Sequence, residues 1–329
     1  MIYLIYYILE TPRVQFFKYF SYVKEKKAIS SINLYKEVFV SSMKYNISLM
    51  DYFQLRFYEQ NESQKQKYAG TGFMYEYQLQ MNPPRYRDIL EDKIKFLNHF
   101  NALSGRKWGT LEMITKDASL AGEIISGEPY KVVLKKSKSK AGRGIMILES
   151  RNTSVSEVLQ LMRKKGFDLI EKFVLQHDNL MQLSPSALNT IRVITQLHDG
   201  GVTVIAARLR VSVNSNIDNL TAGNFAAPVD IEKGIVSGPG VYGDITKPDV
   251  FIHPVTGVEI KGFLIPHWKE CIEMVSKAAL SIPQTKSVGW DVAITNEKSI
   301  LIEGNHDWGR VLWQLPVKEG LKEDLLKYL

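Results

Sequence analysis

The chain is poor in several things, and each shortage excludes something. A single cysteine, Cys271, stands among 329 residues, so neither a disulfide framework nor a cysteine-built metal site is available. It sits in the amphipathic stretch Trp268–Val275 and reads as buried packing in a protein of a reducing compartment. No apolar run reaches the ~20 residues that span a bilayer. The apolar stretch Met1–Leu9 is far shorter and has no basic segment before it, so it reads as neither an export signal nor a membrane span. A cytoplasmic location is expected. There is no repeat, no low-complexity tract and no basic arm interleaved with aromatics, so the net charge of +7 does not lead to an expectation of nucleic-acid binding. A Gly-Lys-Ser/Thr phosphate loop ahead of a helix is missing too.

What is present describes an ordinary globular chain with room for two to three lobes. Residues 1–100 read as a helical region rich in aromatics, 101–172 as a small α+β lobe, and 173–329 as a larger one. Within residues 1–20, Arg13, Phe16, Phe17, Lys18, Tyr19 and Phe20 follow the apolar start. The segment could pack on its own domain or lie on a membrane surface as an amphipathic helix. Apolar spacing predicts helices over Leu49–Tyr58, Arg87–Phe100, Ser156–Lys165, His267–Leu280 and Val317–Leu329. Strands are predicted over Tyr130–Lys135, Ile145–Leu148, Leu169–Val174, Thr190–Leu197 and Val202–Arg210, the last two joined at Asp199-Gly200-Gly201.

Near the end, Gly289-Trp290-Asp291-Val292-Ala293-Ile294 and Leu301-Ile302-Glu303-Gly304-Asn305-His306-Asp307 form two apolar runs around a polar turn, a β-hairpin pattern. Glu303 and Asn305 are two apart and share a face, and with Asp291 they offer oxygen ligands of the kind Mg²⁺ takes. By itself a polar sheet edge explains the same residues equally well.

Upstream, Lys135 ends a strand at the mouth of a cleft, and Gly142 and Gly144 sit in a basic loop that could let backbone approach phosphates. A solvated basic hairpin is the alternative. Glu171 ends another strand; backbone around Lys172 and Val174 could pair with an adenine edge, and Asp178 could hold ribose hydroxyls. Arg192, Arg208 and Arg210 lie on a hairpin, where converging guanidinium forks suit phosphate or carboxylate. The loop from Asp218 through Asn219 to Phe225 adds amides and Asn side chains.

Taken in order, these pieces resemble the ATP-grasp superfamily, and within it the sugar-transfer-associated ATP-grasp proteins of bacterial polysaccharide genes. Ser184–Thr195, Gly289–Thr295 and Leu301–Asp307 look like that group's central signatures. The resemblance implies an α+β fold of two lobes gripping ATP, preceded by the mostly helical region. It implies Lys135 at the nucleotide phosphates, Glu171 near adenine, Asp178 at the ribose, and Asp291, Glu303 and Asn305 around one or two Mg²⁺ ions. Arg192 and Arg208 would surround the transferred phosphoryl group, with Arg208 also at a tetrahedral intermediate, and His306, His177 or Asp307 would assist proton loss. Lys136 stands where related ligases often have Pro, and His306-Asp307 where Asn-Pro is usual; Lys107 and Lys116 are candidates for a second nucleotide lysine. The expected activity is an ATP-dependent ligase joining an amine to a carboxylated sugar or glycan precursor through an acyl phosphate. A sugar kinase, or a non-catalytic nucleotide-binding partner in a polysaccharide assembly complex, are the competing expectations.

Overall fold

The computed structural model describes residues 2–139, 144–215, 220 and 223–329. The expected Gly142 and Asn219 lie outside them. Two sheets organise the chain. The smaller holds β1 (Trp108–Thr110), β2 (Lys131–Lys135), β3 (Ile145–Glu149) and β4 (Leu169–Lys172) in the order β1-β4-β2-β3. The larger holds β5 (Ile191–His198), β6 (Gly201–Val211), β7 (Phe225–Asp230), β8 (Ile235–Val236), β9 (Val241–Tyr242), β10 (Ser287–Ile294) and β11 (Ser299–Asn305). Its order is β11-β10-β5-β6-β7-β8, with β9 also on β7. Adjacent strands run antiparallel.

The period-2 alternation of a strand decides what each sheet offers. On β2, Val132 and Leu134 turn to helices Leu111–Lys116, Ala118–Ile125 and Val155–Lys165 and are fully buried. Lys131, Val133 and Lys135 face the other way, into the cleft. The last of those helices starts with Ser154 in a reciprocal cap with Glu157 and stops at Gly166 in the left-handed conformation, φ 70°.

The larger sheet is buried on both faces. Val193 and Ala207 meet the helix Trp268–Ser281, with Cys271 and Val275 fully buried against them. Ile194 and Ala206 meet Met74 and Tyr77 of the helix Thr71–Met81, together with Trp308 and Trp313.

The helical start is less continuous than its spacing predicts. Residues 1–20 form two helices, Ile2–Leu9 and Arg13–Lys26, because Pro12 cannot continue the first. Arg87–Phe100 divides into Asp88–Glu91 and Lys93–His99, where the Asp92 carboxylate caps the second helix at Ile94 and Lys95. The C-terminal amphipathic stretch is a 3-10 turn and the short helix Glu323–Leu326. Among the described residues no helix is long and apolar enough to cross a membrane.

The first 66 residues do not stand apart from the end of the chain. Asp51, fully buried, caps its own helix at Ser48, accepts from Thr71, and is bridged by both Nε (2.8 Å) and Nη2 of Arg310. Burial raises the carboxyl pKa, but Arg310 outweighs it and the net shift is downward. Gln314 adds bonds to both backbone groups of Ala69, at 2.8 and 3.0 Å. Removing one partner of a buried pair leaves a charge without compensation. Arg310→Leu is therefore expected to destabilise the protein by about 3 kcal/mol or more, read from urea unfolding; a change under about 0.5 kcal/mol would contradict the pairing.

Candidate active site

Between the two sheets lies a cleft of about 810 Å³, within the usual range for a small-molecule site. Its small-sheet wall carries a buried ion triad. Glu171 on β4 accepts from Arg106 Nε at 2.6 Å and from Lys135 Nζ at 2.7 Å. The Glu171 and Arg106 side chains are almost wholly buried, and Lys135 is largely so. Burial would raise the Glu171 carboxyl, but the two cations win and hold it at about 2. Arg106 also donates to the carbonyls of Leu301 (2.8 Å) and Ile302 (3.4 Å) on β11. The carboxylate placed near adenine by the sequence reading is thus committed to anchoring Lys135. The backbone from Lys172 through Val174 does line the cleft.

Neither Lys107 nor Lys116 reaches the site. Lys107 pairs with Glu123 at 2.5 Å and Lys116 with Glu112 at 2.7 Å, all largely exposed. A further ammonium of the cleft wall is that of Lys93, whose Nζ donates to the carbonyls of Ser137 (3.3 Å) and Ser139. Burial lowers its pKa against the opposing pull of Glu303. Neither Lys93 nor Arg106 figured among the expected site residues: each belongs to no motif, and only the fold brings it to the wall. Gly144 takes φ 68°, and its carbonyl accepts from Lys136 at 2.9 Å, a turn conformation that favours glycine.

The opposite wall is the β10–β11 hairpin. Asp291 stands opposite Glu303, and Gly289 opposite Asn305, with a bulge after Asp291. Asp291 is buried, and Arg192 on β5 bonds both its oxygens, through Nε and through Nη2 at 3.0 Å. Arg210 Nη2 adds a third bond at 2.9 Å. Burial pushes the Asp291 carboxyl up, and the two guanidiniums bring it down to about 2. Glu303 lies deep between the walls yet stays open to the cleft. Its pKa is raised, first by desolvation and then by the neighbouring Asp291, with which it shares a hydrogen bond. Asn305 Nδ2 donates to Gly289 O and Glu303 Oε1, each at 3.4 Å. A Cβ on Gly289 would come within 2.6 Å of the Trp308 Cβ and 3.1 Å of Arg192 Cδ, so only glycine lets the strand pass there.

Arg208 is placed differently from the expectation. It stands opposite Arg192 in the ladder, but its guanidinium turns from the cleft to cap the Trp313 carbonyl, with Nε at 3.0 Å and Nη2 at 2.6 Å. Buried there, its pKa falls to about 10. Arg210 lines the cleft instead. Asp178 is also away from the cleft lining: it heads a short helix at the surface and pairs with Asn296 at 3.1 Å. His306 is buried against the cleft, its Nε2 2.9 Å from Glu91 Oε1, while its Nδ1 has no hydrogen-bond partner among the described residues. Asp307 is exposed at the cleft edge.

Among the described residues no cluster of three or more His, Cys, Asp or Glu side chains could hold a metal. The all-oxygen set of Asp291, Glu303 and the Asn305 amide oxygen nevertheless fits a hard cation. Two carboxylates face each other, and arginines take three of the roughly four lone-pair sites on Asp291. A cation between Asp291 and Glu303 would relieve the repulsion that now raises Glu303.

Two antiparallel sheets facing each other across such a cleft are the ATP-grasp architecture. The chain belongs to the sugar-transfer associated ATP-grasp family, whose sequence profile matches residues 73–328. No curated protein matches it in sequence. Solved structures similar to it include an L-amino acid ligase from Bacillus licheniformis, at 13% identity and TM-score 0.42, over 74% of this chain and 49% of that one. D-alanyl-alanine synthetase A from Vibrio cholerae aligns at 14% identity and TM-score 0.41, over 74% and 62%. Biotin carboxylase from Campylobacter jejuni aligns at 14% identity and TM-score 0.45, over 73% and 46%. The chain spans about half the length of the first solved structures it resembles.

Glu171 and Asp291 have folded pKa values below those of the unfolded chain, so their stabilisation is present above the ordinary carboxylate range and is lost as pH falls through it toward about 2. Glu303, raised, works in the opposite sense, its contribution falling as pH rises. Unfolding in urea at stepped pH is expected to show stability dropping below about pH 4.5. Glu171→Gln should cost about 3 kcal/mol at neutral pH and flatten part of that slope.

Proposed function

We propose that the protein is an ATP-dependent carboxylate–amine ligase. The observation that carries this reading is the grouping in one cleft of the ammonium groups Lys135 and Lys93 with the oxygen donors Asp291, Glu303 and Asn305 and the guanidiniums Arg192 and Arg210. A bound Mg²⁺, held by Asp291, Glu303 and Asn305, would neutralise phosphate charge and align the phosphoryl group. The remaining work falls to the chain's own residues. Lys135, fixed by Glu171, and Lys93 would hold the nucleotide phosphates, and Val133, Ile145, Ile147 and Val174 offer an apolar bed for a base. Backbone groups at Lys172–Val174 are available to its polar edge.

In the proposed reaction an acceptor carboxylate oxygen attacks the γ-phosphorus, the bond to ADP breaks, and an acyl phosphate forms. The amine nitrogen then attacks the acyl carbon and phosphate leaves with the bonding pair. Arg192 and Arg210, which line the cleft beside Asp291, would stabilise the oxygens that gain charge in both steps. His306, held by Glu91 through Nε2, would be the group to take the proton the amine loses. The family's association with sugar transfer supports a carboxylated sugar or glycan precursor as acceptor and an amino acid or similar amine as donor. The exposure of Asp307 at the cleft edge supports a second reading: a kinase in which Asp307 deprotonates a sugar hydroxyl that receives the phosphoryl group directly.

Mass spectrometry of reactions holding Mg²⁺, ATP, pooled uronic acids or sugar nucleotides and pooled amino acids separates the two. Condensed product with ADP and free phosphate is the ligase outcome; a phosphorylated sugar with ADP and no free phosphate is the kinase outcome, and no ADP in either case overturns both. Glu303→Gln is expected to cut ADP formation roughly 1,000-fold, and Arg210→Ala about 100-fold. Arg208→Lys is expected to leave kcat within about threefold, because its side chain faces Trp313.

A further inference from the structure

The first two helices pack on the protein through one face only. Tyr7 and the row Phe16, Tyr19, Phe20 and Val23 are buried, and Tyr3 and Tyr7 hydrogen-bond inward to Glu76 and Asn46. The open face of the first helix is apolar, and on the second Val14 and Phe17 stand out among polar and basic residues. Ile5, Tyr6, Ile8, Leu9, Val14 and Phe17 are between 47% and 89% exposed, too much contiguous apolar surface to be incidental in a soluble chain.

Charge accompanies this surface. Residues 1–48 hold seven basic and three acidic side chains, giving this short segment a net of four out of the chain's +7. Lys18, Lys26 and Lys44 are paired with Asp244, Glu59 and Glu62. Arg13, Lys24, Lys27 and Lys36 enter no ion pair among the described residues. Two short helices, the first apolar throughout and the second setting Val14 and Phe17 among basic residues, are separated at a proline and match an interfacial anchor, and at 8 and 14 residues they are too short to span a bilayer.

We propose that the face formed by residues 5–17, with the adjoining basic residues, docks the protein on an anionic lipid surface. Apolar side chains enter the headgroup boundary, and Arg13, Lys24 and Lys27 draw the face to negative charge. The second helix is fixed to the body at the cleft rim: Tyr19 Oη donates to Gly243 O at 3.1 Å, and Leu220, which lines the cleft, lies beside Gly243. Docking would therefore hold that rim close to the lipid.

The test is flotation of the full chain with phosphatidylcholine vesicles, with and without phosphatidylglycerol, at low and high salt. Binding that needs phosphatidylglycerol and weakens with salt is expected. Leu9→Ser with Phe17→Ser should reduce the bound fraction at least about tenfold, and Lys24→Glu with Lys27→Glu about tenfold or more. Phe251→Ser, on another exposed apolar residue (60%), should change nothing. Thermal melting checks each variant, and Leu9→Ser alone replaces the pair if the pair fails to fold. The proposal is overturned if no vesicle is bound, if the variants bind as the parent does, or if the parent self-associates without lipid and Leu9→Ser abolishes that association, which would make the face a protein interface.

Discussion

The grip of Arg106 and Lys135 on the buried Glu171 carboxylate is the constraint on which the cleft depends. An ionised carboxylate at such depth is tolerable only with its oxygens satisfied, and the two cations come from different places: Lys135 from the adjacent strand, Arg106 from the segment leading into β1. Because Arg106 also holds carbonyls of β11, the same guanidinium ties the small sheet to the edge of the large one. Lys135 is thereby held at the cleft with its long side chain already ordered, so little rotamer entropy remains to be lost when an anion arrives.

The opposite wall solves a different problem. Antiparallel pairing puts Arg192 beside Asp291, and Asp291 opposite Glu303, so two acids and two arginines converge in a small volume. The arginines settle Asp291 as an anion and leave Glu303 as the group that still resists ionisation. Charge at this end is nearly balanced rather than strongly of one sign.

Much of this was legible in the chain. The hairpin around Asp291 and Glu303 and the strands that carry Lys135 and Glu171 follow from period-2 patterning and turn residues, and the order of these pieces carries the resemblance to the ATP-grasp family. Strand alternation fixes the face a side chain leaves from but not where a long side chain ends. Arg208 leaves from the same face as Arg192 and finds the Trp313 carbonyl, over a hundred positions away in sequence. Lys93, Arg106 and Glu91 belong to no local pattern and become site residues only through tertiary packing. Asp178 pairs with Asn296 through a contact equally remote in sequence. The helix breaks at Pro12 and Asp92, by contrast, rest on local chemistry, a proline and a capping carboxylate.

The pairing of Asp51 with Arg310, separated by 259 positions, bears on the order in which the protein can be made. A ribosome delivers the aromatic helices first, and their buried acid then has no counter-charge within reach. Only after Arg310 has been made can the pair close, with Gln314 closing on Ala69 beside it. Until then Asp51 has only the local bonds from Ser48 and Thr71 to satisfy it.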